Sequence, residues 1–154
     1  MEGVRAAGPD DLATLVRLYR QAYDDMQPLR GGAMYTAREG RQPPVEGSFA
    51  ADLADPRALV LVGTIDDEPL GYAVARVETL TDGTLLGVTS DLFVEADARG
   101  VGVGEALMDQ VVGWLRERGC VAVDAVALPG DRATKNFFEG AGLSARLLVM
   151  HRRL

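Results

Sequence analysis

The sequence predicts an α/β fold: a strongly twisted mixed sheet of six or seven strands, with an antiparallel N-terminal meander, a parallel central step and helices on both faces. Three observations lead there. Between residues 58 and 94 three apolar runs follow one another, separated only by turn chemistry at Asp66-Asp67-Glu68-Pro69 and Thr81-Asp82-Gly83, the pattern of an antiparallel meander. A glycine-rich segment, residues 99–104, then joins the third run to a stretch of helical periodicity. A further apolar run at 121–128 follows that stretch, so strand, helix and strand form a crossover of the kind that is right-handed almost without exception.

Each element has its own local reason. Val4 to Ala6 reads as a short first strand, and Pro9-Asp10-Asp11 opens a helix whose apolar positions Leu12, Leu15, Val16 and Tyr19 keep helical spacing. Ser48 reads as the cap of a short helix with Phe49 and Leu53 on one face. The meander strands are 58–65, 70–79 and 84–94. The helix at 103–118 carries Val103, Leu107, Val111 and Trp114/Leu115 on one stripe and stops at Gly119. Residues 121–128, apolar except at Asp124, read as a buried parallel strand. A helix from Asp131 and a last strand at 144–152 complete the plan. Residues 26–47, rich in Gly and Pro, show no periodicity and read as a long loop, either functional or solvated.

Length and composition bound the function. A chain of 154 residues is expected to be one domain able to bury its own core, and 47% hydrophobic with 25% charged residues are globular values. The single cysteine, Cys120, permits no internal disulfide and reads as a small hydrophobe at a strand start. No apolar h-region follows Met1, and the longest apolar run, Ala58 to Val62, is far too short to span a bilayer. The expected location is cytoplasmic. Net charge is −7 without a basic cluster, which argues against nucleic acid and anionic membrane as partners.

The chemistry is concentrated at Arg99-Gly100-Val101-Gly102-Val103-Gly104-Glu105. Alternate glycines clear a loop of side chains, and the helix start behind it points unpaired N–H groups outward, an arrangement that binds phosphate. A dinucleotide fingerprint requires glycine at 105 or 107, where Glu105 and Leu107 stand, and a P-loop requires a lysine, whereas the only lysine is Lys135. What fits is Arg-x-x-Gly-x-Gly, carried by Arg99, Gly102 and Gly104. Here the sequence resembles the GNAT superfamily of acyl-CoA-dependent N-acyltransferases. A second segment supports the resemblance: Asp131 to Leu143 is similar to the family's Asn-x-x-Ala-x-x-Phe-Tyr-Glu-x-x-Gly-Phe motif. Phe137, Glu139 and Gly142 match, while Asp131, Thr134, Phe138 and Leu143 depart from it. The resemblance covers the chain from about residue 59 onward; the N-terminal third matches only in plan.

The resemblance implies a GNAT-like domain over residues 1–154, an N-acetyltransferase moving acetyl from acetyl-CoA to a primary amine of a small molecule or peptide, with no metal. It implies that main-chain groups near Phe93 and Val94 meet the pantetheine and that Arg99, Gly100, Val101, Gly102, Val103, Gly104 and Glu105 meet the diphosphate. Asp131, Asn136 and Phe138 join the cofactor site from the last helix. The candidate bases are Asp91, Ser90 and Glu78; strict alternation puts Asp91 and Ser90 on opposite faces of their strand, and the sequence does not say which face meets substrate. Met34, Tyr35 and Arg38 are candidates for the acceptor wall, with Arg30 and Arg41 nearby. His151, the only histidine, reads as a surface residue. Phe138 stands where the family commonly has a tyrosine that protonates the departing thiolate, so the alternatives are a non-catalytic acyl-CoA-binding module and a CoA-independent binding protein whose glycine loop serves packing. The expected assembly is a monomer or a homodimer.

Overall fold

The computed structural model describes residues 1–154. Five strands, β1 (Glu2–Ala6), β2 (Ala58–Ile65), β3 (Glu68–Thr79), β4 (Leu85–Val94) and β5 (Cys120–Ala125), form one sheet in the order β1-β2-β3-β4-β5. All neighbours are antiparallel except β4 and β5, which are parallel. The β2–β3 hairpin turns on Asp66 and Asp67, both with positive φ, as a two-residue turn requires.

The helices are α1 (Leu12–Met26), α2 (Gly32–Glu39), α3 (Val45–Ala54), α4 (Val103–Glu117) and α5 (Arg132–Gly140). They cover both faces of the sheet. On one, Leu15, Leu18 and Tyr19 of α1 and Phe49 of α3 pack on Val60, Val62, Tyr72, Val74 and Phe93. On the other, Val103, Leu107, Val111 and Leu115 of α4 pack on Leu61, Ala73, Ala75 and Val77. Central strands buried on both faces lose polar alternation, which is why β2 and β3 read as continuous apolar runs. Two glycines set how closely α4 approaches the sheet. A Cβ on Gly63 would stand 2.6 Å from Val103 Cγ1, and one on Gly87 2.4 Å from Leu115 Cδ1.

Four expectations are corrected. The sheet has five strands rather than six or seven, because residues 144–154 form no strand and stand exposed. Consequently β5 is an edge strand and not a buried one, with Val121 66% exposed. The segment 26–47 contains α2, which lacks an apolar stripe because the face it buries is Gly32 and Thr36. Gly32 packs where a Cβ would collide with the Met26 carbonyl, and the Thr36 hydroxyl bonds back to the Gly32 carbonyl at 3.0 Å. Finally, α3 begins at Val45, so Ser48 lies inside it rather than capping it.

Candidate active site

Strands β4 and β5 pair only as far as Thr89 and Ala125. Beyond that point β4 continues against β3 alone, and the gap opens into a cleft of about 750 Å³ lined by α1, α2, β4, the glycine loop and α5. Glu95 N–H bonds to the Leu70 carbonyl on the β3 side, so alternation turns the main-chain groups of Leu92 and Val94 toward the gap and those of Phe93 toward β3. Phe93 therefore contributes its ring to the cleft rather than its peptide groups. The Val94 carbonyl is already taken by Arg99 Nε at 2.8 Å, which leaves its N–H.

The glycine loop lies at one end of the cleft. Gly100 and Gly102 have φ of +84° and +95°, and Gly102 is the residue from which α4 starts. The first helical bond is donated by Ala106 to the Gly102 carbonyl, and the N–H groups of residues 100–105 make no bond within the chain. That is an anion cradle with the positive end of the α4 dipole behind it. Gly100, Gly104, Glu105, Asp131 and Phe138 line the cleft. Val103 buries its side chain in the core, Val101 points to solvent, and Asn136 lies exposed outside the cleft. Arg99 is held at the mouth, its guanidinium 5.6 Å from the Phe93 ring centroid and 3.7 Å from Asp25.

The other end is built around Arg41. A β-bulge between Val74 and Ala75, opposite Asp91 and Thr89, makes Ser90 the extra residue of β4. The bulge breaks strict alternation and sets Ser90 beside Asp91, Oγ to Oδ1 2.7 Å. The Tyr72 hydroxyl donates to Asp91 at 2.7 Å, and Arg41 reaches both carboxylate oxygens, at 3.2 and 3.4 Å. Arg41 also donates to Asp52 at 2.7 Å and Ser48 at 3.0 Å, and lies 3.8 Å over the Phe49 ring. Asp52 is shared with Arg76. The side chains of Arg41, Asp52 and Asp91 are each 10% exposed or less.

This burial shapes the acid–base character of the cleft. Desolvation works against the Arg41 charge, but Asp91 and Asp52 outweigh it and hold the guanidinium above its ordinary value. Burial, then the Asp91 charge and hydrogen bond, push the Tyr72 phenol well up, so it stays a donor. Tyr35, on α2, rises to about 12 through burial and the nearby Asp91 and Glu39 carboxylates.

Of the sequence-derived candidates, the structure brings together Asp91, Ser90, Tyr35, Phe93, Val94, Arg99, Gly100, Gly104, Glu105, Asp131 and Phe138. It does not bring Glu78, which pairs with Leu86 near the far end of β4 and is exposed. Met34 is 49% exposed and Arg38 pairs with Glu39 at the surface, both outside the cleft. The sequence reading missed Tyr72, Asp52 and the depth of Arg41; no local pattern announces them, because their partners are 7 to 50 residues away in the chain.

The chain is similar to several known proteins. An uncharacterized N-acetyltransferase of Archaeoglobus fulgidus is 28% identical over 117 residues, 75% of this chain and 74% of the relative. A mycothiol acetyltransferase of Propionibacterium freudenreichii is 30% identical over 135 residues, 88% of this chain but only 40% of that longer protein. Among solved structures, a putative acetyltransferase from Agrobacterium tumefaciens superposes with a TM-score of 0.76 at 21% identity, covering 99% of both chains. An aminoglycoside acetyltransferase from an uncultured soil metagenomic sample gives 0.74 at 18% identity over 99% of this chain and 95% of that one. The family model described as Acetyltransferase (GNAT) family matches residues 15–143. With the split strand, the glycine cradle and the cleft between them in place, the chain belongs to the GNAT acetyltransferase family.

Proposed function

We propose that the protein is an N-acetyltransferase that moves an acetyl group from acetyl-CoA to a primary amine of a small molecule or peptide by direct attack in a ternary complex. The observation that carries this reading is the gap between β4 and β5 opening onto the unbonded N–H groups of residues 100–105. An extended thioester with a diphosphate handle matches that shape: strand-edge peptide groups beside an apolar slot, and an anion cradle at one end. In this reading Leu92 and Val94 supply peptide groups to the pantetheine, and the Val94 N–H is the donor for the thioester oxygen.

The cleft is acidic. Asp24, Asp25, Glu39, Asp91, Glu105 and Asp131 line the cleft against Arg41 and Arg99, and both arginines are already paired. A cationic amine is favoured there by charge. Aminoglycosides, the compounds after which one of the structural relatives is named, are amines of this kind.

The attacking amine must first lose a proton. Asp91 already accepts from Arg41, Tyr72 and Ser90, so its carboxylate has little room for a direct contact. Ser90 is exposed to the cleft and donates to Asp91. The proton then passes from the amine to Ser90 Oγ while the Ser90 proton moves to Asp91. The neutral nitrogen attacks the acyl carbon, the C–S bond breaks with its electron pair on sulfur, and solvent or the acceptor's own ammonium protonates the thiolate. Phe138 has no proton to give.

A second reading rests on that same residue. With phenylalanine lining the cleft where the family commonly has tyrosine, the chain would bind acyl-CoA without turnover. Calorimetric titration with CoA and a thiol-release assay with acetyl-CoA and a panel of cationic amines separate the two. Binding with turnover supports the enzyme, binding alone the second reading, and no binding removes both. A Cβ on Gly102 would stand at a positive φ and 3.8 Å from the Glu2 side chain, so Gly102→Asp strains the turn and adds a negative charge at the start of α4, and should lower CoA affinity by at least about 10²-fold. Normal CoA affinity in a folded Gly102→Asp protein would end the phosphate-loop assignment.

A further inference from the structure

The bulge in β4 also separates two side chains that regular pleating would put together. In an unbroken strand Thr89 and Asp91, two residues apart, share a face of the sheet. With Ser90 inserted, Asp91 stands opposite Val74 and Thr89 opposite Ala75, and directly paired residues point to the same side. Val74 belongs to the core covered by α1 and α3, Ala75 to the core covered by α4. Asp91 therefore faces the α1 side together with Tyr72 and Arg41, and Thr89 faces the α4 side. Thr89 is also the last residue of β4 paired with β5, so it sits at the closed end of the gap, and it lines the cleft. It is 5% exposed, and its hydroxyl is the one buried side-chain polar atom of the chain without a hydrogen-bond partner. Such a group costs free energy unless something in the cleft pairs with it.

We propose that the Thr89 hydroxyl donates a hydrogen bond to the sulfur of the departing CoA, on the face of the sheet opposite to that of Asp91. The inference rests on the acetyltransferase reading above. The glycine cradle opens α4, and α5 packs beside it, where a Cβ on Gly104 would stand 3.1 Å from Phe137 Cε1. A donor anchored there enters the gap from the α4 side and brings its sulfur to Thr89, while the amine is served from the Asp91 side. As the C–S bond breaks, its electron pair collects on sulfur. A neutral thioester sulfur is a poor acceptor and a thiolate a strong one, so the bond strengthens toward the transition state. The hydroxyl keeps its proton, and the proton that finally neutralises the sulfur comes from solvent or from the acceptor's ammonium. Thr89 thus supplies stabilisation that the Phe138 ring has no hydroxyl to give.

Thr89→Val removes the hydroxyl and keeps the shape. Without ligand the variant should be at least as stable as the parent in urea denaturation, because it loses no hydrogen bond. Its single-turnover rate of thiol release should fall by about 10- to 10²-fold, the range of a hydrogen bond to a charged group, with affinity for acetyl-CoA changed by less than about threefold. Thr89→Ser should recover most of the rate. Calorimetry gives a readout without turnover. At about pH 9, where a thiol is substantially ionised, the parent should bind CoA several-fold tighter than desulfo-CoA, which lacks the sulfur, and Thr89→Val should lose that preference. An unchanged rate in Thr89→Val, an equal loss in Thr89→Ser, or the same preference for CoA in parent and Thr89→Val would each overturn the proposal and leave the acetyltransferase reading standing. No thiol release by the parent with any amine would end both.

Discussion

Arg41→Met tests whether one buried guanidinium holds the acceptor end of the cleft together. Methionine keeps much of the side-chain length and apolar contact with Phe49 but leaves two carboxylates facing each other without their shared cation. Arg41, Asp52 and Asp91 have side chains 6%, 5% and 10% exposed, so solvent screening does little for them. Removing one partner of a buried ion pair costs about 3–5 kcal/mol. The lower end applies, because Asp52 keeps Arg76 and Asp91 keeps Tyr72 and Ser90. A loss of about 3 kcal/mol is a large part of a typical domain's stability and corresponds to roughly 6–12 °C in Tm for a chain of this size. Urea denaturation followed by circular dichroism gives the free energy, with an unchanged m-value as the check that the unfolding transition is the same one. The triple variant Arg41→Met/Asp52→Asn/Asp91→Asn removes the orphaned charges together with the cation and should regain a good part of the loss. A deficit under about 1 kcal/mol in Arg41→Met, the range of an exposed pair, would refute the reasoning and mean that the two carboxylates do not depend on the guanidinium.

The remaining predictions concern other parts of the molecule. Asp11 is held below the usual carboxylate range by the Arg5 guanidinium, against the cost of burial and with help from the Gly8 N–H. A depressed folded-state value means that its contribution is complete above the unfolded value near 3.8 and is lost as pH falls through the folded one. Asp11→Asn should therefore be less stable than the parent by a constant amount from pH 6 to 8, the gap closing only below about pH 4; a gap that widens in acid would contradict this. Phe138→Tyr should raise turnover by no more than about 10²-fold, since another proton source already serves, and activity confined to the tyrosine variant would favour the non-catalytic reading. Gly63→Ala should destabilise by about 1–3 kcal/mol through overpacking against Val103 and Leu107, measured by urea denaturation, and a neutral result would show that α4 shifts outward freely.

What the sequence determined by itself is what lies within a few residues along the chain. The apolar runs and turn residues located β2, β3 and β4 to within two residues, because strand and hairpin chemistry is local. The stripe from Val103 to Leu115 and the glycines at 100, 102 and 104 marked α4 and its exposed N–H groups for the same reason. The tertiary structure alone decided the rest. Whether the run beginning at Val121 is central or at the edge depends on whether another segment pairs with it, a property of residues 144–154 and not of the strand. α2 escaped notice because Gly32 and Thr36, not an apolar stripe, form its buried face. The side of β4 that Ser90 joins depends on a bulge in its pairing with β3, and a bulge is a relation between two strands. The Arg41 cluster gathers Ser48, Asp52, Tyr72 and Asp91 across as many as 50 residues of chain. Long-range charge pairing in a buried site is selected by which side chains the packed elements bring within about 3 Å of one another, and spacing along the chain carries no trace of that distance.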